Sequence, residues 1–292
     1  MISIQPFPAN DGRFPRHIQP IAAPPELERA RGRARVSFHR VGDETRLIEF
    51  YQSGSAKIRL PRVPAGAPKE AVLLNTAGGV TGGDHLAYEV AAGAGTSVVV
   101  TTQAAERVYR RTTGTARIET GLSVGDSADL AWLPQETILF DNSALSRRLS
   151  ADIAPSGSLL AIEAIILGRA AMGEAARNLV VNDGWRIRRG GKLIFADGLR
   201  LDGDAEAIMT GSATGNGATA LATLLLIAPD AAAKIDAARD ALAACQGEGG
   251  ASTWNGMLVA RLIAPTGQTL RSDLIRLIER LRGAPMPRVW QS

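Results

Sequence analysis

Gly93-Ala94-Gly95-Thr96-Ser97-Val98-Val99-Val100-Thr101-Thr102 is the stretch on which the reading of the fold turns. A glycine-marked turn opens a run of β-branched residues, the composition that fits a pleated, half-buried surface. Gly125 and Gly157 follow at intervals of 32 residues, and each opens another such run, Ala128–Leu133 and Leu159–Ile166. A further turn at Gly190-Gly191 falls close to the next register and opens Lys192–Phe195. Turn-and-strand modules at a fixed period predict a layered or coiled β architecture. The segments between the turns are unlike one another, so coincidence of spacing stands as the alternative.

Working outward, period-two alternation dominates from Arg33 to Leu201. Thr45–Tyr51, Glu70–Asn75 and Arg147–Ile153 also read as strands. Val124-Gly125-Asp126, Pro155-Ser156-Gly157 and Asn182-Asp183-Gly184 read as the turns that split them. Trp185–Arg189 and Lys192–Phe195 flank Gly190-Gly191 as a hairpin. Two helices are predicted late in the chain. One covers Ala231–Ala244 behind the Pro229-Asp230 stop, with Ile235, Ala238 and Leu242 as its buried stripe. The other runs from about Leu270 to Arg282, with Leu270, Leu274, Leu277, Ile278 and Leu281 on one face and Gly283 and Pro285 ending it. The fold class is therefore mainly β, a β-helical-like multi-strand body with two α-helices in the C-terminal third. Residues 1–28 read as a flexible arm and 29–292 as a single domain.

Composition narrows the function. The 292 residues are 45% hydrophobic but only 4% aromatic, so the core is built from Ala, Val, Leu and Ile. One cysteine, Cys245, excludes an internal disulfide and a cysteine-based zinc site. The first 25 residues hold six prolines and no apolar run, unlike a secretory leader. No apolar run approaches the ~20 residues of a membrane helix. The expectation is a cytoplasmic protein without membrane contact. The net charge is +4, with 29 of the 33 basic residues arginine. Arg31, Arg33 and Arg35 fall on one strand face, which reads as solvated. Only Phe38 and Tyr51 lie close enough to stack, so nucleic acid is not expected.

Catalytic patterns fail on inspection. Gly121-Leu122-Ser123-Val124-Gly125 matches a nucleophile elbow, but a strand and not a helix follows. His17, His39 and His85 all precede Ser123, the wrong order for that class of hydrolase. An enzyme with an unrecognised carboxylate site is the rival reading. Asn75–Asp84 carries paired glycines, Gly78-Gly79 and Gly82-Gly83, that could expose backbone N–H groups to an anion. It lacks the P-loop lysine, and Asp84 would repel phosphate. Tight turns with positive φ are the preferred reading.

Asn75–Asp84, Thr101–Arg110, Leu133–Phe140 and Glu163–Arg169, with Gly173-Glu174 after them, resemble in order and spacing the urease accessory protein UreD (UreH) family. Gln52–Leu60 and the ending Arg282-Gly283…Pro287-Arg288-Val289-Trp290 fit as well, so the resemblance covers roughly 30–292. Arg107 stands where family members often carry lysine, which keeps the cation. The resemblance implies a mainly β, β-helical fold with two helices and a non-enzymatic role. The implied partners are urease apoprotein, UreF and UreG, with self-association left open. It implies no tightly bound cofactor and a transient Ni2+. A conduit for such an ion needs scattered oxygen donors and not a closed cage. Asp84, Glu136, Asp141 and Glu163 are the acids within or beside the family-like motifs. Glu163 interrupts an apolar run, sharing a strand face with Leu159, Ala161, Ile165 and Leu167. A lone buried carboxylate is costly. Arg169 or Arg147 is the expected partner, and a water-lined path is the alternative.

Overall fold

The computed structural model describes residues 28–169 and 172–291. The arm expected over 1–28 lies, Glu28 apart, outside the described residues. Two antiparallel pairs come first, β1 (Arg31–Val41) with β2 (Glu44–Gly54) and β3 (Ala56–Arg59) with β4 (Lys69–Asn75). The chain then winds. One turn of the coil is β5 (His85–Ala92), β6 (Ser97–Thr102) and the short β7 (Glu106–Val108). The next is β8 (Ala116–Val124), β9 (Asp129–Leu133) and β10 (Thr137–Leu139), and the third is β11 (Ala144–Ile153) and β12 (Ser158–Leu167). Each strand lies parallel on its counterpart one turn back, and the end of β12 pairs with β10. β13 (Leu179–Arg189) adds to β11, and β14 (Lys192–Gly203) turns back on it. A five-residue helix, α1 (Ala205–Met209), follows. β15 (Ala220–Ile227), α2 (Ile235–Ala243), β16 (Glu248–Trp254), β17 (Met257–Ala264) and α3 (Gly267–Arg282) complete the chain. The result is a seven-stranded sheet facing a ten-stranded one. The mainly β, coiled body and the two longer late helices match the sequence reading.

The repeat is real, but its period is not constant. Ala92 lies opposite Val124 and Ser97 opposite Asp129, both 32 residues apart. One turn later Val124 meets Ile153 and Asp129 meets Ser158, both 29 apart. Gly157 is therefore not the register mate of Gly125. Ala154 is, since its N–H bonds Val124 O as that of Gly125 bonds Ala92 O. Ladder hydrogen bonds stack the turns, and they constrain strand length more than loop length. Asn182-Asp183-Gly184 also corrects the sequence reading. These residues sit inside β13, not in a turn, because β11 and β14 pair with them from both sides.

Burial explains the patterns. β8 alternates strictly, with Ala116, Ile118, Leu122 and Val124 facing the opposite sheet. β12 is apolar almost throughout because it is covered twice. Leu159, Ala161, Ile165 and Leu167 join the layer between the sheets, and Leu160, Ile162 and Ala164 join the layer under the helices. α3 buries Leu270, Leu274, Leu277, Ile278 and Leu281 there, about 1.5–3 kcal/mol each. Thr266 Oγ1 caps it by accepting from Thr269 N, and Gly283, at φ 64°, closes it. The earlier helix starts later than expected. A 3₁₀ turn occupies Ala232–Lys234, and Asp230 pairs with Lys234 at 3.2 Å without capping anything. No helix among the described residues is long and apolar enough to cross a membrane.

An interior carboxyl site between the sheets

Three inward-facing rows each carry one charged residue. In β11 it is Arg147, between Leu145 and Leu149; in β13 it is Asp183, between Val181 and Trp185; in β12 it is Glu163. Arg147 and Asp183 are direct ladder partners, and Glu163 approaches from the other sheet. Arg147 Nε donates to Asp183 Oδ1 at 3.0 Å, Nη2 to Oδ2 at 2.6 Å, and Nη1 to Thr137 Oγ1 at 2.9 Å. Glu163 Oε2 lies 2.9 Å from Arg147 Nε, with side chains 5% and 6% exposed. That nitrogen's one hydrogen is already aimed at Asp183, and Oε2 is left without a hydrogen bond. Of the two expected partners, Arg147 is therefore the neighbour. Arg169 instead pairs with Glu174 and stacks on Phe140 at 4.1 Å.

One cation faces two acids in a dry place. Burial pushes the Glu163 carboxyl well above the ordinary carboxyl range; Arg147 opposes this and Asp183 adds to it. The cluster is charge-balanced when Glu163 holds its proton. A cavity of about 70 Å3 lies against it and reaches Asp197 and Arg261. That is room for a few waters at roughly 10–15 Å3 each. Arg261 and Asp197 bond across the two sheets at 2.8 Å on its rim.

A second, half-buried carboxyl extends the polar line. Glu106 of β7 borders a cavity of about 100 Å3 with Gly78, Tyr88 and Gln103. Burial pushes its pKa up to about 7, against a hydrogen bond from Asn75 at 3.0 Å. Its ladder neighbour is Thr137, the residue that accepts from Arg147. Polar groups thus run through the interior from Glu106 by way of Thr137 and Arg147 to Glu163 and the Asp197 rim.

The other expected acids are not brought to this line. Asp84 is spent on backbone, Oδ1 accepting from Ala30 N and Oδ2 from Thr81 N, each at 2.8 Å. Glu136 takes Arg271 at 2.9 Å, and Arg271 in turn lies over the Trp290 ring, fastening α3 and the chain end to the sheet. Asp141 accepts from Arg177 N and Asn178 N, each at 2.9 Å. The paired glycines form the expected tight turns, with Gly78, Gly79 and Gly83 at φ 75°, 155° and 93°, and two of them also pack closely: a Cβ on Gly79 would lie 2.3 Å from Tyr109 Cε2, and one on Gly82 2.1 Å from Thr113 O. Ser123 lies within β8 and not at a strand-to-helix elbow. Sequence reasoning missed Asp183 and Glu106. The signal for Asp183 was present, since an inward apolar row holding one arginine calls for a neighbouring row holding one acid. Among the described residues no three His, Cys, Asp or Glu side chains form a metal-holding group.

The fold and the site define a coiled two-sheet β protein with ionisable groups strung along its interior. Comparison with known proteins makes this specific. The profile of the family described as UreD urease accessory protein matches residues 30–291. A relative from Rhizobium leguminosarum bv. trifolii is 49% identical over 92% of this chain and 98% of its own length. Relatives from Methylobacterium sp., at 46% over 92% and 97%, and Azorhizobium caulinodans, at 44% over 92% and 99%, are similar to it too. All three are named urease accessory protein UreD. The chain belongs to the UreD family of urease accessory proteins, which are accessory proteins and not enzymes.

Proposed function

We propose that this chain is a cytoplasmic scaffold and metallochaperone subunit that binds urease apoprotein and, with UreF and UreG, supports nickel insertion. The observation that carries the reading is Glu163 Oε2: buried, without a hydrogen bond, and set against a cavity between the sheets. Nickel(II) moves between sites fastest when few ligands hold it. Glu163, with water, is such a weak holder, because Asp183 is committed to Arg147. A dication arriving there displaces the Glu163 proton, so loading is coupled to proton release. The neighbouring guanidinium keeps the stay short by repulsion. Asp84, Glu136 and Asp141 have no part in this path as proposed, since their oxygens accept from backbone N–H groups, the Asn142 amide or Arg271.

The test is Glu163→Gln in a mixture reconstituted from urease apoprotein, UreF, UreG, nickel and bicarbonate. Activation falls while complex formation, followed by gel filtration, is unchanged. Full activation with an intact complex removes Glu163 from the path. Loss of the complex itself would instead assign the residue to stability.

A further inference from the structure

The face of the ten-stranded sheet that carries α3 holds a trough of about 920 Å3 that the interior site does not use. Its walls are the loop between β3 and β4, residues 60–68, and the segment after α3, residues 283–289. Its floor is apolar: Val72, Leu74 and Val99. Both walls are rich in proline, with Pro61, Pro64 and Pro68 facing Pro285 and Pro287. Proline fixes φ, so the walls are stiff and an occupant spends little on ordering them.

The charges are only partly compensated. Arg59 and Arg62 stand on one wall and Arg282 and Arg288 on the other, against the single acid Glu70. Four cations and one anion line the apolar floor, and Asp129 and Glu279 beside Arg282 reduce the positive surplus at that end. Arg59 donates to Ile58 O at 3.0 Å and Arg282 to Pro285 O at 3.1 Å, but among the described residues none of the four closes an ion pair. Burial lowers the pKa of Arg282 against the fields of Asp129, Glu279 and Glu70, and raises that of Glu70 against Arg282 and Arg288, so both charges remain poorly solvated where they stand. A carboxylate brought to the rim relieves the first.

We propose that this trough docks an extended segment of a partner protein, apolar where it meets Val72, Leu74 and Val99 and acidic where it meets the four arginines. The inference stands apart from nickel transit and holds whether or not Glu163 carries an ion. A single-stranded nucleic acid is disfavoured because no aromatic ring lines the trough for bases to stack on. A second copy of a chain of net charge +4 brings no acidic match. Nor do residues 1–27, where Asp11 and Glu26 are offset by Arg13 and Arg16.

The experiment is fluorescence polarisation on the full chain with two fluorescein-labelled ten-residue peptides, one mixing leucine with glutamate and one mixing leucine with lysine. The acidic peptide binds at least tenfold tighter, and loses tenfold between 50 and 300 mM NaCl. Arg62→Glu/Arg288→Glu, both exposed positions, lowers its affinity at least tenfold without changing the melting temperature. Arg148→Glu, exposed on the seven-stranded sheet, does not. Equal binding of the two peptides, or no effect of the double charge reversal, overturns the proposal. Displacement by an equal concentration of free glutamate would make the trough a simple anion pocket, which also overturns it. So would a tenfold gain in affinity on removing residues 1–27, which would name the chain's own segment as occupant.

Discussion

Arg147→Met puts the interior cluster under the most direct strain. The guanidinium is buried and gives three hydrogen bonds, two to Asp183 and one to Thr137. Methionine roughly keeps the aliphatic stem but leaves Asp183 and Glu163 facing each other with no cation. Removing one partner of a buried pair costs about 3–5 kcal/mol. Chains of 150–250 residues shift by about 2–4 °C per kcal/mol, and the lower figure suits 292 residues, so the melting temperature drops by about 6–10 °C. Circular dichroism melts at pH 7.5 measure it. The companion variant replaces the whole cluster with Arg147→Met, Asp183→Leu and Glu163→Leu. Swapping a buried ionic group for apolar residues of similar size is often neutral or stabilising, so most of the loss returns. On the proposed path urease activation does not return with it, because the carboxyls of the cluster are gone while Glu106 and Asp197 at its ends remain. A single-variant shift under about 2 °C would mean that the guanidinium is hydrated, and the account of Glu163 would fail with it.

Three further outcomes follow from geometry. Glu163 and Glu106 both have folded-state pKa values raised by burial, Glu106 to about 7. The stability they contribute is complete below the unfolded carboxyl value of about 4.3 and is lost as pH rises through the folded values, so the melting temperature declines from pH 5 to pH 8. Glu106→Gln flattens that decline, and a rising curve over the same range would contradict the assignment. Trp290→Ala empties a buried site whose Nε1 donates to Thr101 Oγ1 at 3.0 Å and whose ring lies under Arg271, at a cost of about 3–5 kcal/mol in urea titration. A loss below about 1 kcal/mol would show that α3 docks without it. Gly79→Ala drives a Cβ to 2.3 Å from Tyr109 and lowers soluble yield sharply, whereas Gly78→Ala meets nothing within 4 Å and costs only the left-handed backbone at φ 75°, about 1–2 kcal/mol. Comparable yields of the two variants would refute the packing role.

The coil was legible because each strand has one wet face and one dry face, so alternation survives in the residue order of β5, β8 and β11. β12 was legible for the opposite reason, being buried on both faces. What escaped was set by neighbours distant in sequence. Asn182-Asp183-Gly184 has every local mark of a turn, yet β11 and β14 hold it extended, with Gly184 directly opposite Gly198. Local turn chemistry lost to two ladders of hydrogen bonds. The constant 32-residue period failed likewise, since the register is read between strands and the intervening loops shorten by three residues without disturbing it. α1, at five residues, carries too little periodicity to be seen. Of the interior site, Glu163 stood out because a carboxylate in an apolar run is an anomaly. Asp183 and Glu106 did not, because one was read as a turn residue and the other lies in the half-exposed Thr101–Arg110 stretch, where a carboxylate interrupts no apolar run.

Stability gives no reason to keep three ionisable residues between these sheets. Leucine and methionine would fill the same space without desolvating a cation and two carboxyls. The three rows could have closed with leucines like those beside them: Leu145 and Leu149 flank Arg147, and Leu159 and Leu167 share the face of Glu163. An arginine alone with Asp183 would make a balanced pair. The added Glu163 unbalances it by one negative charge whenever its proton leaves, and it stands against a cavity between the sheets. A group in that position changes state on gaining or losing one positive charge, whether proton or metal ion. Arg147 limits how tightly any such ion is held, which favours passage over storage. On the proposed reading the arrangement hands a cation onward and does not keep it, and the cluster variant separates that proposed role from fold stability because it restores the latter while removing the former.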